Sequence, residues 1–447
     1  MKDYLRIPTL LLLLGLLGCK TPEIPPNIVL IMADDMGYEC LGANGSTEYK
    51  TPNLDRLAAD GIRFENCYSQ PLCTPSRVKI MTGKYNFRNY EDFGYLNPNQ
   101  KTFGNLLQNA GYATCVAGKW QLNGLNRDNP NNQDVNRPHH FGFDEYCLWQ
   151  LHHNRTKDSE RYADALITQN GEDLPRHSGL YGPRVFADYV MNFIERKVDQ
   201  PFFVYYPMVL VHDPFVPTPD SPQWAEPERR YENDTAYFAD MMAYTDKIIG
   251  EIVAKLKEKG IWKNTLFIFT ADNGTHRSVL SSTENGMVKG AKGETINHGN
   301  HVPFILSWPK KMKEKRVEES IISFADVLPT LCDAAGVAPD KFGSDGNSFL
   351  PLITNDLSEI QDNVFIHYAP RWGNFGKYHN RWVMNGEYKL YQDGRFYNTK
   401  EDVLEKYPLS DLTEKEQKFK KEFQQILDEN ESDIEFELNN EEFKVKY

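Results

Sequence analysis

Three short stretches hold the residues best suited to chemistry. NIVLIMA (27–33) runs directly into Asp34-Asp35, and NTLFIFTA (264–271) runs directly into Asp272-Asn273-Gly274. Three carboxylates and one amide oxygen make a hard, all-oxygen donor set. Such a set suits Ca²⁺, and Mg²⁺ less well, rather than zinc. DNG on its own is a turn signal; the argument for a site is that both acidic pairs follow apolar strands. The third stretch is QPLCTPSR (70–77), just ahead of the helix-like VKIMTGKY. A buried structural cysteine needs neither the prolines nor Arg77 beside it. A nucleophile that handles an anion uses both, because a helix N-terminus adds partial positive charge at Cys73 and Arg77 adds a fixed cation.

These residues need a scaffold that brings distant segments together. The two apolar runs read as strands buried on both faces. TPNLDRLAADG (51–61) reads as a helix, with Thr51 as its cap, Pro52 at its first position and Gly61 at its end. KTFGNLLQNAG (101–111) reads as another, followed by a strand, YATCVAG (112–118). PFFVYYPMV (201–209) is a further strand, and a long helical region (232–259) separates it from NTLFIFTA. This βαβ rhythm predicts an α/β fold with a large, mainly parallel, doubly wound sheet and helices on both faces. Ligands bind beyond the carboxyl ends of strands in such sheets, so both acidic pairs are expected at one site. The pattern changes near residue 356. NVFIHYA, RWVMNGEYKLYQD and RFYNTK read as short antiparallel strands, and a charged helix (412–429) follows. The expected division is a catalytic domain over 27–355 and a smaller C-terminal α+β domain with a short antiparallel sheet over 356–447. The last stretch, DENESDIEFELNNEEFKVKY, reads as a solvated edge or a tail.

CTPSR resembles the signature of the type I sulfatases, Cys-x-Pro-x-Arg, in which the cysteine is oxidised to formylglycine. The resemblance continues through ADDMG (33–37), TPNLDRLAADGIRFENCYS (51–69), TGKY (82–85), AGKW (117–120), HDPF (212–215), TADNG (270–274) and HVPFI (301–305). These follow the family's order and approximate spacing over most of 27–335. The wider alkaline-phosphatase superfamily shares the fold and its metal-binding strand ends. The resemblance implies hydrolysis of sulfate esters. A hydrated aldehyde has two hydroxyls. One attacks sulfur as the alcohol leaves; the other then loses its proton, the aldehyde reforms and sulfate is expelled. The resemblance makes Asp34, Asp35, Asp272 and Asn273, with the residue at Cys73, the ligands of a cation that polarises the sulfate oxygens. It makes Arg77 the partner of the hydrate, and Lys119 and Lys292 (in KGAKG) contacts to sulfate oxygens. His212 would lie near the leaving oxygen and help protonate it. Maturation by a formylglycine-generating enzyme is implied as well. Two positions depart from the pattern. Gln121 stands where many members have a histidine two residues after the AGKW lysine. NHGNH (297–301) replaces Glu-Gly-Gly-x-Arg, which leaves His298 or His301 to compensate.

Three expected loops bear on the substrate: WQLHHNRTKD (149–158), THRS (275–278) and HYAPRWGN (367–374). Gln121, His276, Arg277, His298, His301, Arg371 and Trp372 are the candidate substrate contacts. Stacking on tryptophan and charge pairing to arginine suit a sulfated sugar; loop packing is the plainer alternative for Arg371 and Trp372. The net charge of −13 argues against a nucleic-acid partner but leaves room for a locally basic pocket. At the N-terminus, Lys2 and Arg6 precede TLLLLLGLLGC, a run too short to span a bilayer comfortably and suited to an export signal. LLGC (16–19) resembles the bacterial lipobox. Residues 1–19 would then be a lipoprotein signal peptide, Cys19 the lipidated mature N-terminus, and KTPEIPP (20–26) a tether. The chain is accordingly expected in the bacterial cell envelope, touching the membrane only through its lipid. Cys40, Cys67, Cys115, Cys147 and Cys332 form no CxxC pair, and one or two disulfides among them are possible outside the cytoplasm. Two alternatives stand beside the sulfatase reading: a phosphonate or phosphodiester hydrolase of the same superfamily, and a catalytically dead, lipid-anchored glycan-binding protein.

Overall fold

The computed structural model describes residues 24–124, 130–152, 161–176, 179–338, 343–356 and 360–430. Cys19, the leader, residues 20–23 of the tether, most of the 149–158 loop and the tail beyond 430 lie outside the described residues.

A ten-stranded sheet forms the body. Its first members are β1 (Asn27–Ala33), β2 (Ile62–Tyr68), β3 (Ala113–Lys119), β4 (Glu145–Trp149), β5 (Ile167–Gln169) and β6 (Glu172–Asp173). β7 (Phe202–Pro207) and β8 (Thr265–Ala271) follow, then a separate hairpin, β9 (Leu280–Thr283) and β10 (Gly286–Lys289). β11 (Phe304–Ser307) and β12 (Arg316–Ser323) complete the sheet. The strand order is β12-β2-β11-β8-β1-β7-β3-β4-β5-β6. From β8 to β4 all neighbours are parallel, whereas β11 runs against both β8 and β2. Every residue of β1 and of β8 is buried, which is why both read as unbroken apolar runs. Their register pairs Ala33 with Ala271, so Asp34 and Asp272 emerge side by side.

The helices lie where hydrophobic spacing puts them. Phe238–Glu258 buries Met241, Met242, Ile248, Ile249, Ile252 and Leu256 on one face. Helix Pro52–Asp60 starts as expected, but Thr51 does not cap it: its hydroxyl donates to Asp55 and accepts from the Gly42 N–H. Asp246, from helix Phe238–Glu258, accepts the Asn53 and Leu54 N–H groups at 3.0 and 2.8 Å and so caps a helix remote in sequence.

The C-terminal part is a four-stranded antiparallel sheet of β13 (Val364–Tyr368), β14 (Asn380–Met384), β15 (Tyr388–Tyr391) and β16 (Phe396–Asn398). Helix Glu414–Glu429 opens on a capping box between Thr413 and Glu416 and sets Phe423 and Leu427 against Val383, Leu390 and Phe396. The other face of this sheet packs Ile366, Tyr368, Trp382 and Met384 against Tyr68, Leu72, Cys73 and Phe93. The small sheet therefore backs the stretch that opens at Cys73. Cys40, Cys67, Cys73, Cys115, Cys147 and Cys332 are all buried free thiols, so no disulfide forms among the described residues. Cys115 and Cys147 lie on adjacent strands but miss one another in register, pairing with Glu145 and Ala117. Among the described residues, no helix is long and apolar enough to cross a membrane.

Candidate active site

Four adjacent parallel strands each end at a residue singled out above. β8 ends at Asp272-Asn273, β1 at Asp34-Asp35, β7 leads to His212, and β3 ends on Lys119. The carboxyl edge of the sheet thus gathers residues as remote as Asp35 and Asn273, 238 positions apart. Asp35 takes a left-handed backbone, φ 59°, which lets its N–H reach Asp272 Oδ1 at 3.1 Å. Asn273 Nδ2 donates to Asp35 Oδ1 at 2.8 Å. Gly274 is required because a Cβ there would lie 1.8 Å from the His298 carbonyl oxygen.

Three buried cations face these carboxylates. Lys119 Nζ donates to Asp34 Oδ2 and Lys292 Nζ to Asp35 Oδ2, each at 2.6 Å. Arg77 Nη2 meets Asp272 Oδ2 at 3.0 Å, and its Nη1 donates to the Lys119 carbonyl at 3.0 Å. Burial works to raise the Asp34 carboxyl, but Lys119, His212, Arg77 and Lys292 together hold it below the usual carboxylate range. Asp272 is pushed upward by its burial and by the Asp34 charge. Lys292 is held above the usual lysine range by Asp35 despite its burial.

Cys73 is the first residue of a ten-residue helix, Cys73–Thr82, whose residues are all buried. Pro75 fits because a first-turn residue has no intrahelical N–H bond to lose. Burial pushes the Cys73 thiol up even with Lys119 and Lys292 nearby, so the unmodified side chain is a thiol rather than a thiolate. Ligand atoms of Asp34, Cys73 and Asp272 all lie within 4.8 Å of one another, as do those of Asp34, Asp35 and His212. Asp34 Oδ1 and Asn273 Oδ1 are buried and accept no hydrogen bond. Orphaned buried oxygens in an acidic cluster are what a hard cation satisfies, so the donor set fits a divalent ion.

His212 lies beside this cluster. Its Nε2 is 3.0 Å from Lys292 Nζ, and its Nδ1 is 3.0 Å from Asp213 Oδ1. This arrangement is that of a neutral ring with Nδ1–H toward Asp213 and Nε2 accepting from Lys292. Burial, and next Arg161, lower the His212 pKa.

A cavity of about 310 Å³ opens over Cys73, His212 and Lys292. Of the candidate substrate contacts, Gln121, His276, Arg277 and Trp372 line it. Gln121 has φ 56°, and its Oε1 is buried without a hydrogen-bond partner. Trp372 stacks on Phe93 at 4.5 Å, and the Arg277 guanidinium sits 4.4 Å from the Phe375 ring.

Three expected contacts do not line the cavity. His301 is stacked on Tyr38 at 4.2 Å and donates from Nε2 to the Glu65 carbonyl. His298 belongs to the turn Asn297–Asn300, whose backbone braces the DNG loop through Gly274 N–H to the Gly299 carbonyl. The Asn297–Asn300 backbone thus supports the loop, while the Nδ1 of His298 is buried without a hydrogen-bond partner. Arg371 donates from Nη1 to the Glu91 carbonyl at 2.6 Å and ties its loop to the body.

Arg161, Asp213, Phe93 and Phe375 line the cavity and were not anticipated. Asp213 was legible as the neighbour of His212 in HDPF. Arg161 carried no motif.

The Sulfatase family profile matches residues 26–337, and the profile described as N-sulphoglucosamine sulphohydrolase, C-terminal, matches residues 294–444. Arylsulfatase A of Homo sapiens is 30% identical over 388 residues, covering 80% of this chain and 73% of that protein. N-acetylgalactosamine-6-sulfatase of Mus musculus is 29% identical over 388 residues, covering 79% of this chain and 71% of that protein. A protein solved in complex with its substrate D-glucosamine-2-N,6-O-disulfate superposes with a TM-score of 0.71 at 21% identity, over 94% of this chain and all of that one. The residues at the carboxyl edge of the sheet therefore sit in a chain that belongs to the type I sulfatase family of the alkaline-phosphatase superfamily, the sulfuric ester hydrolases.

Proposed function

We propose that the protein removes sulfate from sulfated saccharides, with Cys73 converted to formylglycine and Ca²⁺ held by Asp34, Asp35, Asp272 and Asn273. The observation that carries this is the convergence of Cys73, Arg77, Lys119 and Lys292 on an acidic cluster with unpartnered oxygens. Formylglycine supplies a hydrate hydroxyl as nucleophile with a second hydroxyl for release. The cation supplies Lewis acidity toward the sulfate oxygens.

The chain's own residues do the rest. Lys119 and Lys292 bring fixed positive charge to where sulfate oxygens bear negative charge, inside a site largely closed to water. Arg77 is locked by Asp272 and the Lys119 carbonyl, so it orients the first turn of the helix with no reorganisation during turnover. Lys292 and His212 share a hydrogen bond and can deliver a proton to the departing alcohol oxygen, with Asp213 fixing the ring. Trp372, stacked on Phe93, offers an aromatic wall to a sugar ring. The saccharide assignment is also supported by relatives named for sulfated sugars. The leader and LLGC support export and a lipid anchor at Cys19.

The test uses protein co-produced with a formylglycine-generating enzyme. Sulfate release is measured from an aryl sulfate, sulfated oligosaccharides and an aryl phosphodiester, before and after chelation. Sulfate release that chelation abolishes and Ca²⁺ restores is expected. Faster phosphodiester hydrolysis would overturn the reading, as would glycan binding that survives Cys73→Ala with no ester turned over.

A further inference from the structure

The scissile sulfate of a monoester carries one negative charge, and the proposed reaction meets it with Lys119, Lys292 and the cation. The cavity holds more positive charge than that reaction uses. Arg161 lines it with Cys73 and His212. Its guanidinium lies 4.4 Å from the Trp149 ring, which fixes its plane. Its Nη1 is buried and donates to nothing. Among the described residues lining the cavity, Asp213 is the one carboxylate, and its Oδ1 lies 3.0 Å from His212 Nδ1, which also meets the Asp213 carbonyl at 2.6 Å. Arg277 adds a second guanidinium, its Nε anchored on the Lys292 carbonyl at 3.0 Å and its face on Phe375. Two arginines held flat by aromatic rings are geometrically fixed donors. A buried guanidinium edge without an acceptor is costly unless a ligand supplies one.

We propose that the preferred substrate bears a second anionic group, a sulfate or a carboxylate on the same or the adjoining sugar, and that Arg161 is the residue that reads it, with Arg277 assisting. This rests on the sulfatase reading and narrows it from sulfated saccharides to saccharides with two or more anionic groups. Two oxygens of a carboxylate or a sulfate match the guanidinium fork, whereas a neutral hydroxyl offers a single acceptor and no charge.

The test compares paired substrates on formylglycine-containing enzyme. One pair is hexosamine 6-sulfates with N-sulfate or N-acetyl. The other is sulfated disaccharides with a uronic acid or its neutral reduced counterpart. An aryl sulfate serves as the reference. Wild type is expected to favour the doubly charged member of at least one pair, and which pair responds tells sulfate from carboxylate. Arg161→Gln should reduce that preference by roughly 30-fold or more, chiefly through KM, since it removes one partner of a desolvated charge pair. Arg161→Lys should restore part of it, and unchanged melting temperatures would exclude misfolding. Equal treatment of both members of every pair by wild type, turnover of neither included, would overturn the proposal. So would Arg161→Gln losing aryl sulfate and doubly charged substrates in equal proportion. In either case continued hydrolysis of the aryl sulfate would leave the sulfatase reading standing; its absence in wild type would remove both.

Discussion

Asp34 and Asp272 stand side by side because β1 and β8 are in register, and like charges so close are tolerated only with counter-charge around them. Lys119, Lys292 and Arg77 provide part of it. Lys292→Ala is expected to lower kcat on an aryl sulfate by on the order of 10²–10³-fold, since it removes a preorganised donor from the reacting oxygens. A KM change with kcat intact would contradict that role. Asp34 and Asp272 were legible in the sequence because each follows an apolar run, and Arg77, Lys119 and Lys292 because their motifs resemble those of the family. Arg161 was not, because its significance lies in what it fails to meet in space. His298 and His301 were read from NHGNH as substrate contacts, but they do not line the cavity: the backbone of Asn297–Asn300 braces the DNG loop and the His301 ring packs on Tyr38.

The loops that carry the site are held by buried groups with measurable consequences. Lys389 of β15 is fully buried, pairs with Glu405 at 2.8 Å and donates to the Thr295 carbonyl, three residues beyond Lys292. Lys389→Met would strand the Glu405 charge, and a loss of about 3–5 kcal/mol is expected by denaturant titration. His301 links stability to pH. Burial lowers its pKa from 6.5 to about 4. Between those values the unfolded chain binds more protons than the folded one, so stability falls as pH drops through that window, by roughly 3 kcal/mol in full. His301→Gln is expected to flatten the dependence of melting temperature on pH from 6.5 down to 4; an unchanged slope would assign the acid limb elsewhere. Long, wholly apolar strands and capped helices could be read from the sequence here. The hairpin β9–β10 and the strands β5 and β6 at one end of the sheet could not, being short and held by tertiary pairing rather than by their own periodicity.

The whole chain behaves as one large sheet whose carboxyl edge is completed by a small one. The C-terminal sheet packs on Leu72, Cys73 and Phe93 and contributes Trp372 and Phe375 to the cavity, so recognition depends on both parts. A cation bound only by the folded sheet edge must stabilise the fold. Ca²⁺ at about 100 times its dissociation constant is expected to add roughly 2.7 kcal/mol, read as a rise in melting temperature over chelated protein; no rise would remove the cation site. Catalysis as proposed turns on the chemistry of one side chain. The most direct measurement is mass spectrometry of the peptide containing Cys73, from the native host or from protein co-produced with a formylglycine-generating enzyme. The expected result is that the sulfur is lost and a carbonyl that reacts with a hydrazide takes its place. An intact thiol under those conditions would contradict it.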